Sequence, residues 1–286
     1  MKRLFVTVVV LFAFCVSNTI KAQQVLKPSK YPDGIYTKEN TRTRRPISYT
    51  SLREADVMWS KRIWRQIDLK QKINHPLYYP SEVIGDRKSL FQAIKDAALI
   101  DNSITCFSAM DDEFRNELSK TEVEGLLARW DSTHQIDDVN NPGTTILAPI
   151  PVNITSDMIT GYQIKEDWFF DKQRSVLDVR IVGLLVMTQR KSENGDVVGS
   201  KGLFWIYFPE ARPIFANQEV YMRHNDAERR TIDDIFWKRL FSSYIYKESN
   251  VYDRMIIDYT SGLDALLESE RIKKEIFTSE HDLWHF

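Results

Sequence analysis

Apolar side chains recur at every fourth position along residues 55–67, with Trp59 and Ile63 inside the stripe. The preceding residues Ser51–Glu54 have capping-box spacing, in which two side chains close the first turn of a helix. The pattern predicts an amphipathic helix of about five turns that ends at Pro76.

Trp64 lies one step beside this stripe, so the predicted apolar surface is wider than a single packing seam requires. Two interpretations remain open. The helix either faces the core with all its aromatic residues, or it buries one face and offers Trp64 to a partner, because tryptophan is enriched at the energetically important positions of interfaces.

Residues 50–130 are predicted to be mainly helical. A second helix carries the apolar positions between Leu90 and Ala98, and a third follows the capping box Ser119–Glu122 and runs to Trp130. A short strand is predicted at residues 104–107. Residues 131–155 contain Asn-Pro-Gly and lose the periodicity, which predicts a linker or long loop.

The apolar period changes to two in residues 156–260, the predicted α+β part. Residues 161–170 and 176–189 flank a polar DKQRS turn, which predicts a hairpin, and the apolar run 181–187 is typical of a central strand. Asn-Gly at 194–195 predicts a second hairpin that leads into residues 203–208.

Two more helices follow. The sequence Thr231–Asp234 predicts a capped helix that reaches Tyr244, and an amphipathic segment covers residues 261–277, within a C-terminal helix and tail at 261–286. The resulting fold class is α+β, with a mainly helical N-terminal part followed by an antiparallel sheet packed with helices.

The first 22 residues have the order of a secretory signal peptide: a basic start, thirteen uncharged residues from Leu4 to Val16, and a polar end at Ala22. We expect cleavage between Ala22 and Gln23 and export, with no membrane span, because thirteen residues are fewer than the ~20 that a spanning helix needs. Cleavage removes Cys15 and leaves Cys106 as a small buried thiol without a disulfide partner.

The charge is distributed unevenly. Removing the three cations of the leader changes the formal charge from −1 to −4, which argues against nucleic-acid binding. Residues 23–49 nevertheless form a basic, proline-containing arm that includes Arg42, Arg44 and Arg45, and we expect this arm to be extended. It is either a solvated leader or an arm that orders against an acidic neighbour.

No catalytic, cofactor or metal motif has the required spacing. Residues 195–202 have too few residues between their glycines for a phosphate loop. His281 and His285 have zinc-helix spacing, but a catalytic zinc needs three protein ligands, so a polar tail is the preferred interpretation. The sequence therefore predicts no enzyme, no cofactor and no metal site.

The carboxylates of Glu166 and Asp167, set among aromatic residues, are the remaining candidates for acid/base chemistry. If Phe170 pairs with Val176 in the hairpin, Glu166 faces Arg180 across the strands. That cation would neutralise Glu166 and make it structural. The alternative, a periplasmic hydrolase that uses these carboxylates, requires a different register.

Four blocks of sequence, at residues 51–80, 165–183, 202–220 and 229–254, resemble the PorN/GldN family of the Bacteroidetes in the same order. The resemblance implies a non-enzymatic periplasmic component of the type IX secretion system and gliding machinery. It also implies self-assembly into a ring with the outer-membrane lipoprotein PorK, contact with the inner-membrane motor protein PorM, and a role in cargo export across the outer membrane.

Partner contacts are predicted from residue type and expected exposure, at the basic arm, the Trp59/Trp64 segment and the segment from Asp233 to Tyr244. For Trp168 the sequence leaves open whether the ring faces the core or a neighbouring subunit. The candidate contact residues are Arg42, Arg44, Arg45, Trp59, Trp64, Trp168 and Trp237.

Overall fold

The computed structural model describes residues 44–131, 135–137, 145–147, 150–191, 197–222, 225 and 227–282. The predicted signal peptide with its Ala22/Gln23 cleavage site, Arg42 and most of the basic arm lie outside the described residues, as does His285. From Arg44 onward the described residues belong to one compact unit.

A seven-stranded antiparallel sheet forms the centre of this unit, which confirms the predicted α+β class. Its order is β11-β1-β8-β9-β10-β2-β3. The strands are β1 (Val57–Asp68), β2 (Cys106–Ser108), β3 (Glu117–Leu118), β8 (Ile159–Asp171), β9 (Val176–Lys191), β10 (Val197–Tyr207) and β11 (Tyr244–Glu248). Two separate pairs join β4 (Ala128–Asp131) to β7 (Ile150–Asn153) and β5 (Gln135–Asp137) to β6 (Thr145–Leu147). Three of these short strands lie where the sequence predicted a linker.

The helices are α1 (His75–Tyr78), α2 (Leu90–Leu99), α3 (Lys120–Leu127), α4 (Phe208–Asn217), α5 (Ile232–Trp237) and α6 (Leu263–Asp282). The predicted second and last helices and the capping boxes at Ser119 and Thr231 are confirmed. The predicted capping box at Ser51–Glu54 is wrong, because residues 54–56 form one short 3-10 turn without a side-chain cap and lead into β1. Two predicted ends are wrong: α3 ends at Leu127, where β4 takes over, and α5 ends at Trp237, so Tyr244 begins β11.

The predicted first helix is wrong, because residues 57–68 form strand β1 in the interior of the sheet. β1 pairs with β8 along its whole length and with β11 near its C-terminal end. A spacing of four is a multiple of two, so Trp59, Ile63 and Ile67 also lie on one face of a strand. The β-branched and aromatic residues in this segment favour that alternative.

Both predicted hairpins are present, although the turn between β9 and β10 lies outside the described residues. The central run of β9 is buried on both faces, as predicted. The register of the first hairpin is one residue off the prediction: Phe170 pairs with Leu177, and Glu166 pairs with Ile181 rather than with Arg180.

The main core lies on one face of the sheet. There Tyr162, Ile164, Leu184 and Val186 pack with buried residues of the helices α2, α4 and α5. A second cluster on α6 and β11 includes Ile63, Ile245 and Ile272, with Trp59 and Trp168 packed against it. Trp168 therefore faces the interior of its own chain. Cys106 is buried as predicted, and its burial raises the pKa of the thiol to about 12.

Gly161 allows close approach of β8 and β1. A Cβ atom at this position would lie 2.3 Å from the carbonyl oxygen of Ile67, a backbone atom that cannot rotate away. We expect Gly161→Ala to lower the free energy of unfolding by about 1–3 kcal/mol, measured by urea denaturation. Gly199→Ala, where a Cβ meets no atom within 4 Å, is the control; a similar loss in both variants would contradict this account.

Candidate partner-binding surface

The last residues of the basic arm lie against α5. The Arg44 guanidinium donates to the carbonyl oxygen of Arg229 at 2.8 Å and to Asp234 Oδ2 at 3.3 Å. The same Asp234 carboxylate accepts from the Thr231 backbone N–H and hydroxyl in the capping box of α5. A cation of the arm thus contacts an acidic residue of the globular unit.

Tyr49 follows in the chain and packs among aromatic and cationic groups. Its ring lies 5.6 Å from the ring of Trp237, and the guanidinium groups of Arg212 and Arg180 lie 4.5 and 5.1 Å from its centroid. Arg212 also lies 4.9 Å from the Trp237 ring. Burial raises the pKa of the Tyr49 phenol, and the two cations oppose that shift. The neutral phenol suits a packing role.

Arg212 is held by a buried ion pair. Its Nε and Nη2 atoms donate to the two carboxylate oxygens of Asp233 at 2.9 and 3.2 Å, and both side chains are less than 10% exposed. A planar guanidinium fixed in this way offers a face to aromatic rings on either side. Helices α4 and α5 thereby position a support for Tyr49 and Trp237.

A cavity of about 70 Å³ lies beneath this cluster. Its walls combine aromatic, cationic and acidic groups, including Tyr49, Asp178, Arg212, Asp233, Trp237 and Arg239. None of these side chains is a Ser, Cys or His that could serve as a nucleophile or neutral base. The cavity therefore offers aromatic faces and charged groups to whatever contacts it.

The surface above the cavity is cationic and aromatic. Trp237 is 42% exposed, and its chain neighbour Lys238 is exposed as well. Arg44, which contacts Asp234 on the same helix, and the adjacent Arg45 are also exposed. We call this set, with the half-buried Tyr49, the Tyr49–Trp237 surface. Exposed aromatic and arginine side chains on a fixed support are typical of residues that dominate binding energy at protein interfaces.

The carboxylates considered for acid/base chemistry are both paired. Glu166 is fully buried; it accepts from Arg239 at 2.9 and 3.2 Å and from Trp168 Nε1 at 3.1 Å. Asp167 accepts from Arg62 at 2.6 and 2.8 Å. The prediction that Arg180 pairs with Glu166 is wrong, because the register differs by one residue. Glu166 is neutralised instead by Arg239, so its structural role is retained with a different partner.

Trp64 lies on the other face of the sheet, where it is 6% exposed. Its Nε1 donates to Asp112 Oδ2 at 2.9 Å, and the buried ammonium of Lys165 lies 5.7 Å from its ring. Burial lowers the pKa of Lys165, and Asp112 opposes that shift. Trp64 thus packs within its own chain.

A family model described as "Gliding motility associated protein GldN" matches residues 52–285, most of the chain. The chain belongs to the GldN family. No curated protein matches it. As a GldN protein it is a structural component of the gliding-motility and type IX secretion machinery.

The GldN fold brings together only some of the predicted contact residues. Arg44, Arg45 and Trp237 lie at the Tyr49–Trp237 surface, whereas Trp59, Trp64 and Trp168 pack within the chain. The sequence reasoning missed Tyr49 and Arg212. The signals for them were an aromatic residue at the end of the basic arm and a buried arginine in the mainly apolar sequence of α4.

Two features are absent from the part of this GldN chain that the structure describes: a cluster of three or more potential metal ligands and a helix that could cross a membrane. No group of three or more His, Cys, Asp or Glu side chains in it is arranged to hold a metal ion. None of its helices has both the length and the apolar composition that crossing a membrane requires.

Proposed function

We propose that this GldN chain is a non-enzymatic periplasmic component of the type IX secretion system. It builds a ring complex with a PorK-like outer-membrane lipoprotein, links that ring to a PorM-like inner-membrane motor protein, and is needed for cargo export across the outer membrane. The family match over residues 52–285 carries this proposal. The signal-peptide pattern of the first 22 residues supports the periplasmic location.

The Tyr49–Trp237 surface is the contact that we assign to the lipoprotein. Its cations and exposed tryptophan suit an acidic segment with apolar side chains, because charge steers the encounter and a buried aromatic anchor supplies affinity. The support beneath it is held by the buried ion pair of Arg212 with Asp233, and Arg44 makes an exposed ion pair with Asp234. Little conformational entropy is then lost on binding.

The hydrolase alternative has less support. Both carboxylates that it would use contact guanidinium groups, and Glu166 has no exposed surface. A general acid needs access to substrate, which the buried Glu166 lacks, and Asp167 is engaged by both donors of the Arg62 guanidinium.

Binding of the chain from Gln23 to the purified lipoprotein tests the proposal. We expect the Trp237→Ala variant with Arg44→Ala and Arg45→Ala to bind about tenfold or more weakly, as measured by titration calorimetry. Arg190→Ala and Tyr252→Ala, exposed residues outside this surface, are matched controls and should bind like the parent. If the parent does not bind the lipoprotein, the proposed ring complex is contradicted. If the triple variant binds like the parent, only the assignment of the Tyr49–Trp237 surface is contradicted.

A further inference from the structure

Helix α6 is anchored through one side. Ser269, Ile272 and Ile276 are buried, and the two isoleucines join the cluster on Ile63 and Ile245. The hydroxyl of Ser269 accepts a hydrogen bond from the backbone N–H of Ile245 at 2.9 Å. These positions recur at helical spacing and account for the packing of α6 on its own chain.

The opposite side of α6 is also apolar. Leu263, Leu266, Leu267 and Phe277 are 70%, 56%, 60% and 67% exposed. At 100° per residue these four positions fall within an arc of roughly 100°, whose centre lies about 130° around the helix from that of the buried side. They span about 21 Å of helix. An apolar stripe of this kind on a water-exposed helix marks an interaction site.

The charged residues along this stripe are arranged so that they complement the same stripe on a second copy of the chain. Glu270, Lys273 and Lys274 lie between the leucines and Phe277, and the charged groups of Glu270 and Lys273 are 3.5 Å apart within the chain. If two α6 helices pack antiparallel, Glu270 of each meets Lys273 of the other, and Leu266 meets Phe277. A parallel pair would instead place like charges side by side, which is unfavourable.

We propose that the outer face of α6, defined by Leu263, Leu266, Leu267, Glu270, Lys273 and Phe277, binds the same face of a second copy in antiparallel orientation. The contact is isologous, so every residue pair occurs twice. It buries the apolar stripe on both copies and places Glu270 of each copy beside Lys273 of the other. It uses no residue of the Tyr49–Trp237 surface and does not depend on the function proposed for that surface.

Disulfide mapping tests the orientation in the chain from Gln23. Mixing a Leu266→Cys chain with a Phe277→Cys chain is expected to give disulfide-linked pairs under mild oxidation. Each variant alone should give few, because like positions would lie roughly 16 Å apart along an antiparallel pair, too far for a disulfide. Cys106 does not interfere, since it is buried. Linked pairs from each variant alone, and none from the mixture, would overturn the antiparallel arrangement.

Sedimentation tests the contact itself. The parent is expected to form dimers, and Leu266→Asp with Leu267→Asp should yield monomers. Glu270→Lys should weaken the dimer at least tenfold, and Glu270→Lys with Lys273→Glu should restore it. Glu124→Lys, an exposed acid on α3, is the matched control and should dimerise like the parent. Monomeric parent protein at all concentrations, or dimers that survive the two aspartates, would overturn the proposal.

Discussion

The Arg212→Met variant is expected to unfold with a free energy about 3–5 kcal/mol lower than that of the parent. The substitution leaves the carboxylate of Asp233 buried without its guanidinium partner, to which it is joined at 2.9 and 3.2 Å. Removing one member of a buried pair costs more than the pair contributes, because the remaining charge stays desolvated. Urea denaturation followed by circular dichroism measures the loss.

The double variant Arg212→Met with Asp233→Leu is the control. It removes both charges and fills a similar volume, so most of the lost stability should return. Equal losses in the single and double variants would show that the packing of Arg212 against Tyr49 and Trp237, rather than an unpaired charge, accounts for the effect.

The Arg239→Met variant should also lose stability, by about 3 kcal/mol, because it strands the fully buried Glu166 carboxylate. The loss is smaller than for Arg212 because Arg239 is partly exposed, so water can reach the vacated position, and because Trp168 Nε1 still donates to Glu166. Chemical denaturation of purified variants at one pH measures it.

Two further variants at position 239 separate the effects of charge, hydrogen-bond geometry and backbone conformation on stability. Arg239→Lys keeps the charge but loses the two-pronged geometry, so an intermediate stability is expected. Arg239→Gly removes the pair but also relieves the left-handed backbone conformation, where φ is 52°. Stability of Arg239→Met equal to that of the parent would contradict the role assigned to the Glu166 pair.

The sequence predicted elements whose local signals were unambiguous, but the capping spacing at Ser51–Glu54 was misleading because it precedes a strand. The capping boxes at Ser119 and Thr231 and the apolar run of β9 were found because their signals are local. β1 was missed because an apolar residue at every fourth position fits both a helix and a strand. Only its pairing with β8 and β11 decides between them, and that pairing is a property of the whole sheet.

The hairpin of β8 and β9 shows a finer limit. The sequence located its turn, but the register differed by one residue, which moved the partner of Glu166 from the facing strand to Arg239, far along the chain. The Tyr49–Trp237 surface also depends on contacts between residues that are far apart in the sequence. Tyr49, Arg212 and Trp237 come from three distant segments, and no local spacing relates them.

The long pairing of β8 with β1 and β9 has a mechanical consequence. A force applied along these strands loads many backbone hydrogen bonds at once, and they must break together rather than one after another. Strands pulled in this direction resist rupture more than strands peeled apart from one end. A protein proposed to connect a motor to a ring thus has, along the centre of its sheet, an axis suited to bearing tension.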